Sequence, residues 1–192
     1  MEKVDRRVRK TKAQLRAGLA KLMQTKSINE ITVKELVDLV DINRSTFYLH
    51  YTDIYNMLEQ IEKDLIDEFI RVINTHPIGI TENTFPFIAD IFSILLENKE
   101  VCRALIGPNG DISFLHEIEA IIGENSMKAL EPMFKDAIDD LKYSFSFCLS
   151  GCVGIIKAWL LEDNHESPEH MAELTYNMVT NAMKTFYHDQ SK

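Results

Sequence analysis

Glycine and proline are scarce in this sequence, at 7 and 5 among 192 residues. An all-β chain needs more of both for its turns, so the scarcity argues against that class. Cysteine is scarcer still: there are 3, an odd number, with no Cys-x-x-Cys pair. That does not fit a disulfide scaffold and predicts a reduced, cytoplasmic protein. The longest run without a charged side chain, Tyr143 to Ile156, has 14 residues. A membrane span takes about 20, so no contact with a membrane is predicted. The N-terminus is charged with no apolar run behind it, which does not fit a signal peptide. Motifs of catalysis are missing too: there is no Gly-x-Ser-x-Gly and no glycine-rich phosphate loop. The histidines form no His-x-x-x-His pair or Cys/His cluster, and His116 with Glu119 makes a poor two-ligand metal site. No enzyme, metal or cofactor is predicted.

What is present is a globular composition, 45% hydrophobic and 27% charged. The length suits one domain, or a small domain fused to a larger one. The net charge of −9 hides an asymmetry. Residues 1–51 hold 11 Lys/Arg and 6 Asp/Glu, whereas residues 52–192 hold 10 and 24. Nine of the basic groups fall in the first 26 residues. A basic head on an acidic body suggests that one end meets a polyanion; a solvated basic tail is the plainer alternative.

The apolar residues recur at helical spacing nearly throughout. Leu15, Leu19, Leu22 and Met23 mark an amphipathic helix over about 10–25. Thr32 and Glu35 have the spacing of a capping box opening a second helix, lined by Val33, Leu36, Val37 and Val40. Asp41-Ile42-Asn43 breaks the pattern, and Asn43 suits the N-cap of a third short helix from Arg44 to about Tyr51. Asp53 can cap a fourth helix, with a stripe of Ile54, Leu58, Ile61, Leu65 and Phe69 that ends before Pro77. Further helices are predicted at about 84–98, 99–106, 111–129 and 133–162. Ser167-Pro168 opens a last one to about 188. The fold class is all-α with about nine helices.

Residues 33–51 have the form of a helix-turn-helix. A short second helix of this kind enters the major groove by its N-terminal end. Its outer face carries Arg44, Ser45, Thr46, Tyr48 and His50, which offer donors, a methyl group and an aromatic edge to bases and phosphates. Short helical hairpins are common, and structure without DNA function is the alternative.

The run Ile31-Thr32-Val33-Lys34-Glu35-Leu36, followed by Ile42-Asn43-Arg44-Ser45-Thr46-Phe47-Tyr48-Leu49-His50-Tyr51, resembles the DNA-binding domain of TetR/AcrR-family transcriptional regulators. The likeness is strongest over about residues 8–60. It implies an all-α homodimer whose three N-terminal helices bind a palindromic operator in double-stranded DNA. A larger C-terminal domain would dimerise and hold an inducer. By this resemblance Thr32 and His50 meet phosphates, and Arg44, Ser45, Thr46 and Tyr48 face bases or nearby backbone. Phe47 and Tyr51 pack, and Lys12 and Arg9 add phosphate contacts from the first helix. Asp41 stands where the family often has Gly, and Asp tolerates the left-handed conformation better than most residues. Val37 and Val40 stand where Ala is common, and Ile54 where Lys is common.

The second half resembles a branch common in Gram-positive bacteria that includes the regulator of dihydroxyacetone-kinase operons. Its carriers are Leu105-Ile106-Gly107-Pro108-Asn109-Gly110-Asp111 with Phe114, Ser150 to Leu160, and Ser167-Pro168-Glu169. That regulator is an activator with a protein coactivator.

Gly151, Gly154 and Ala158 share one helix face and predict a dimer seam, with tight packing inside one subunit as the alternative. Among the many aromatics, Phe92, Phe114 and Phe147 are candidates for an inducer pocket, although such stripes are more often core. Cys148 and Cys152, one turn apart, read as small hydrophobes rather than a thiol switch. The expectation is a DNA-binding domain over 1–53 and a regulatory and dimerisation domain over 54–192. The predicted function is a repressor released by a small-molecule inducer. An activator working through a protein coactivator, and a helical ligand-binding dimer without DNA function, are the alternatives.

Overall fold

The computed structural model describes residues 6–75, 84–110, 112–130, 138–162 and 166–187. All regular structure among these residues is helical. Nine α-helices are described: α1 (Arg6–Met23), α2 (Val33–Leu39), α3 (Arg44–Tyr48), α4 (Ile54–Thr75), α5 (Thr84–Glu97), α6 (Lys99–Ile106), α7 (Ile112–Leu130), α8 (Ile138–Leu161) and α9 (Pro168–Tyr187). The all-α expectation holds. α1 begins earlier than its apolar pattern, because Arg and Lys are good helix formers that extend the helix without adding to its stripe. The first residues predicted for the helix at 133–162 lie outside the described residues.

The chain divides into two compact units. One comprises residues up to Ile66 together with Asn98–Phe114; the other comprises Asp67–Glu97 and the residues from Leu115 onward. The division falls inside α4, and α6 belongs with the first three helices.

In the first unit, Leu15, Leu19, Leu36, Phe47, Met57 and Leu105 are fully buried. α1 packs on α2 and α6, and α2 on α3. The approach of α1 to α2 depends on Gly18. A Cβ there would stand 2.3 Å from Val40 Cγ1 and 2.9 Å from Leu36 Cδ1. The bulk of Val40 is thus accommodated by a glycine on the facing helix. Arg16 donates to Asn98 Oδ1 at 3.0 Å, and Gln24 to Glu100 at 3.1 Å, tying α1 to the start of α6. Asn98 occupies the N-cap of α6 without capping it by its side chain; its Oδ1 receives Arg16. The loop after α6 closes with Gly110 N–H donating to Gly107 at 3.0 Å. A Cβ on Gly110 would lie 1.8 Å from Leu105 O, so only glycine fits.

In the second unit, α5 packs on α9 and α8, and α8 on α9. Phe92 and Trp159 meet edge to face at 5.2 Å, and Trp159 Nε1 donates to Glu166 O at 2.9 Å. Ser167 Oγ accepts from His170 N–H at 3.2 Å, the cap expected for α9. Thr175 on α9 is buried, and its hydroxyl has no hydrogen-bond partner among the described residues.

α8 differs from every other helix. Its stretch Lys142–Leu161 is long and apolar enough to cross a membrane by length and composition alone, yet 11% of it is buried. This corrects the length argument from sequence: Lys157 ends the uncharged run, but one lysine ends neither the helix nor its apolar character. Tyr143 and Phe147 are 78% and 73% exposed.

Candidate nucleic-acid interface

Each turn of the helix-turn-helix is fixed by a local hydrogen bond. Ahead of α2, Ser27 donates from backbone and side chain to the Glu30 carboxylate, at 3.0 and 3.1 Å. Thr32 Oγ1 accepts from Glu35 N–H at 3.2 Å and caps α2. The second half of the expected capping box does not form at α2. The Glu35 carboxylate pairs with Lys26 instead, since an ammonium is a stronger partner than a backbone N–H. Between α2 and α3, Asp41 adopts φ 53°, a left-handed turn, as its position in the motif requires. Asn43 Oδ1 accepts from Ser45 N–H at 2.9 Å and from Ser45 Oγ at 2.8 Å, which starts α3. Asp53 Oδ1 accepts from Asn56 N–H at 2.8 Å and starts α4.

These caps aim α3. Phe47 is fully buried and anchors the helix. Its ring touches Tyr48 edge to face and lies against Tyr51, at 5.4 and 5.6 Å between centroids. With that side inward, Arg44, Ser45 and Tyr48 are exposed, and Thr46 and His50 are half-buried. α3 ends at Tyr48, earlier than expected. Leu49 keeps helical angles, and the His50 and Tyr51 N–H groups both close onto Phe47 O.

Tyr51 brings together residues from two elements. Lys12 Nζ of α1 lies 5.7 Å from its ring centroid, and the His50 ring 6.3 Å away. Burial, and then Asp64, push the Tyr51 hydroxyl above its ordinary range, so it stays neutral. Lys12, Arg9 and Thr32 are exposed. Arg44 is held from one side: Tyr48 Oη accepts from its Nη2 at 3.0 Å and its Nε at 3.3 Å.

Two residues were missed from sequence. Leu49 is 79% exposed at the end of α3, and Tyr55 is exposed at the start of α4, donating to Asn29 at 2.9 Å. The signal for Leu49 was present: Phe47 and Tyr51 occupy the inward side, so the position midway between them points out.

The other sequence-predicted residues fall elsewhere. Phe92 is buried in the second unit and Phe114 in the first. Phe147 is exposed on α8, and an exposed ring does not wall an enclosed pocket. Gly151, Gly154 and Ala158 are all exposed, and a Cβ on either glycine would meet nothing within 4 Å. Cys148 and Cys152 are half-buried. Burial raises both thiols, Cys152 to about 11 with Cys148 adding to it, so both stay protonated. No metal-binding cluster occurs among the described residues.

Residues 82–181, just over half of the chain, match the TetR-type family described as transcriptional regulator C-terminal region. Over 189 aligned positions the chain is 23% identical to the uncharacterized HTH-type transcriptional regulator YxbF of Bacillus subtilis (strain 168). That match covers 91% of this chain and 46% of YxbF, so the chain spans about half the length of that curated relative. Among solved structures it is similar to a TetR transcriptional regulator from Streptococcus agalactiae 2603V. The TM-score there is 0.58 at 23% identity, covering 91% of this chain and 96% of that one. It is also similar to the dihydroxyacetone kinase operon activator DhaS, with TM-score 0.59 at 18% identity, covering 92% and 97%. The fatty acid degradation regulator FadR from Bacillus halodurans shares the fold at TM-score 0.54 and 9% identity, covering 88% and 93%. Regulators of this type bind DNA and act as dimers, and the chain belongs to the TetR family of transcriptional regulators.

Proposed function

We propose that this protein is a homodimeric repressor that binds a palindromic operator through α3 and is released by a small molecule. The observation that carries the DNA reading is the division of α3. Phe47 is fully buried while Arg44, Ser45 and Tyr48 stand exposed on the opposite side. In this reading Arg44, Ser45, Thr46 and Tyr48 meet bases or adjacent backbone, and Thr32, His50, Lys12 and Arg9 meet phosphates. DNA binding is assigned to residues 1–53, and dimerisation and regulation to residues 54–192. A helical dimer without DNA function would leave the basic first helix and the exposed donors of α3 without a role.

Two α3 helices must reach successive major grooves about 34–36 Å apart, which needs a two-fold dimer. The exposed face of α8, with Gly151, Gly154, Ala158 and Phe147, supplies the seam. Among the described residues no Cβ contact exists at either glycine, which favours a seam with a second copy over tight packing inside one subunit. A second copy of this chain is the proposed cover, since a two-fold operator requires one.

For the inducer, the supporting observation is the unpartnered, buried Thr175 hydroxyl in the apolar second unit. A ligand with one hydrogen-bonding group would satisfy it, and Phe92 is a buried aromatic of the same unit. A ligand releases DNA only if it binds the DNA-incompetent arrangement more tightly, and α4, which runs through both units, is the carrier.

The test is an electrophoretic shift on DNA from the protein's own upstream region. Wild-type protein should retard it, and Arg44→Ala and Tyr48→Ala should each weaken binding by about 1–3 kcal/mol while both variants remain folded. Unchanged affinity in both variants rejects the assignment. A thermal-shift screen of small amphipathic metabolites then tests release. An inducer should raise the melting temperature by mass action and weaken DNA binding together. The likeness in fold to an operon activator favours a second reading, activation through a protein coactivator. Transcription in a purified system separates the two by its sign.

A further inference from the structure

The Arg44–Tyr48 pair has a geometry that selects one base. A guanidinium carries five N–H donors in a fixed planar fork. Tyr48 Oη, one turn away, accepts from Nε at 3.3 Å and from Nη2 at 3.0 Å. Both bonds lie on the same edge of the guanidinium, the one formed by Nε and Nη2. The opposite end, formed by Nη1 and the second Nη2 hydrogen, remains open to solvent, and Arg44 is exposed. The face contact is the weaker element of the pair, with the Arg44 Cζ 5.5 Å from the Tyr48 ring centroid, near the limit of about 6 Å for cation–π attraction. The hydroxyl is therefore what orients the guanidinium.

The open end presents two parallel N–H donors. In the major groove, guanine presents two acceptors on one edge, O6 and N7, and matches that fork. Adenine places its N6 amino group opposite one donor, cytosine offers an N4 donor, and thymine has a single acceptor beside a methyl group. Arg44 stands at the first position of α3, the end that faces the base edges in this motif. Tyr48 spends its lone pairs on Arg44.

The geometry points to a guanine contacted by Arg44 in each half-site of the operator, with Tyr48 as the positioning residue that makes this contact bidentate. This inference rests on α3 being the DNA-reading helix. It separates the two residues by role: Arg44 touches the base, and the Tyr48 hydroxyl acts through Arg44.

The test is selection of tight binders from a duplex library with 20 randomised base pairs, using the full-length protein. Wild type, Arg44→Ala, Tyr48→Phe and Ser45→Ala are compared. Wild type should enrich a two-fold motif with one strongly preferred guanine per half-site. Arg44→Ala should lose that preference while keeping the rest of the motif. Tyr48→Phe retains the ring and its contact with Phe47, so folding is preserved. It should reduce the preference for that guanine at least fivefold, with other positions unchanged. Measured affinities for duplexes carrying G, A, C or T at that position check the same drop. A structural role for Tyr48 alone would lower all four affinities equally, which would overturn its positioning role. An enriched motif that responds to Ser45→Ala but carries no guanine dependent on Arg44 would overturn the inference and leave α3 as the reader. Selection of no motif by wild type would reject both.

Discussion

The two exposed faces of this molecule, on α3 and on α8, are opposites. The α3 face is polar, and most of its groups have a neighbour in the same chain: Ser45 has Asn43, Arg44 has Tyr48, and His50 has Tyr51. The α8 face is apolar and small, with Phe147 exposed and two glycines that meet nothing among the described residues. A polar face can be completed locally and still keep donors for a charged partner, because each guanidinium, hydroxyl or amide has more than one bond to give. An apolar face cannot be completed this way. Only a second apolar surface removes it from water. One face therefore suits a ligand that comes and goes, and the other suits a partner that stays.

Breaking the α8 face should have the largest effect. Gly154→Leu places a branched side chain on the seam, and sedimentation should show monomers or misassembled dimers. Operator affinity should fall about a hundredfold or more, as the second half-site contact is lost. A variant that sediments as a dimer with wild-type affinity would move the seam elsewhere.

The glycines sharpen the contrast with a single type of substitution. Gly18→Ala forces a methyl group against Val40 and Leu36 inside the first unit, and should cost about 1–3 kcal/mol in urea denaturation. Gly151→Ala meets no atom among the described residues, so by helix propensity it should stabilise the monomer by about 0.5–1 kcal/mol. At a helix–helix seam the same methyl should weaken the dimer. Opposite shifts in monomer stability and dimer dissociation would locate Gly151 at the seam.

The smallest effect is expected at the edge of the α3 face. Lys12→Ala should weaken binding to all sequences alike and lower the slope of log affinity against log salt by about one. A change in base preference would instead place Lys12 among the base-reading residues.

Much of the first unit was legible in the sequence because its signals are local. Asn43 and Asp53 cap where their spacing places them, and Asp41 takes the left-handed turn the motif demands. Phe47 and Tyr51 are buried as packing positions. What stayed hidden depends on contacts distant in sequence. Glu35 follows the capping pattern, but Lys26 on the preceding turn takes its carboxylate. Nothing near Gly18 announces Val40, and nothing near Asn98 announces Arg16. Phe147 read as a pocket candidate because aromatic residues are usually core; period alone cannot tell a face covered by its own chain from one covered by another. The same ambiguity affected α8, whose apolar length was hidden by a single lysine.

The central claim is that two α3 helices on one dimer read successive major grooves. Footprinting on the duplex that the protein selects most tightly tests it directly. The account predicts two protected patches on one face of the DNA, with centres about 10–10.5 base pairs apart or a multiple of that, both shifted together to higher protein concentration with Arg44→Ala and lost with Gly154→Leu. A single protected patch, or two patches that appear at the wild-type protein concentration in the Arg44→Ala protein, would contradict it.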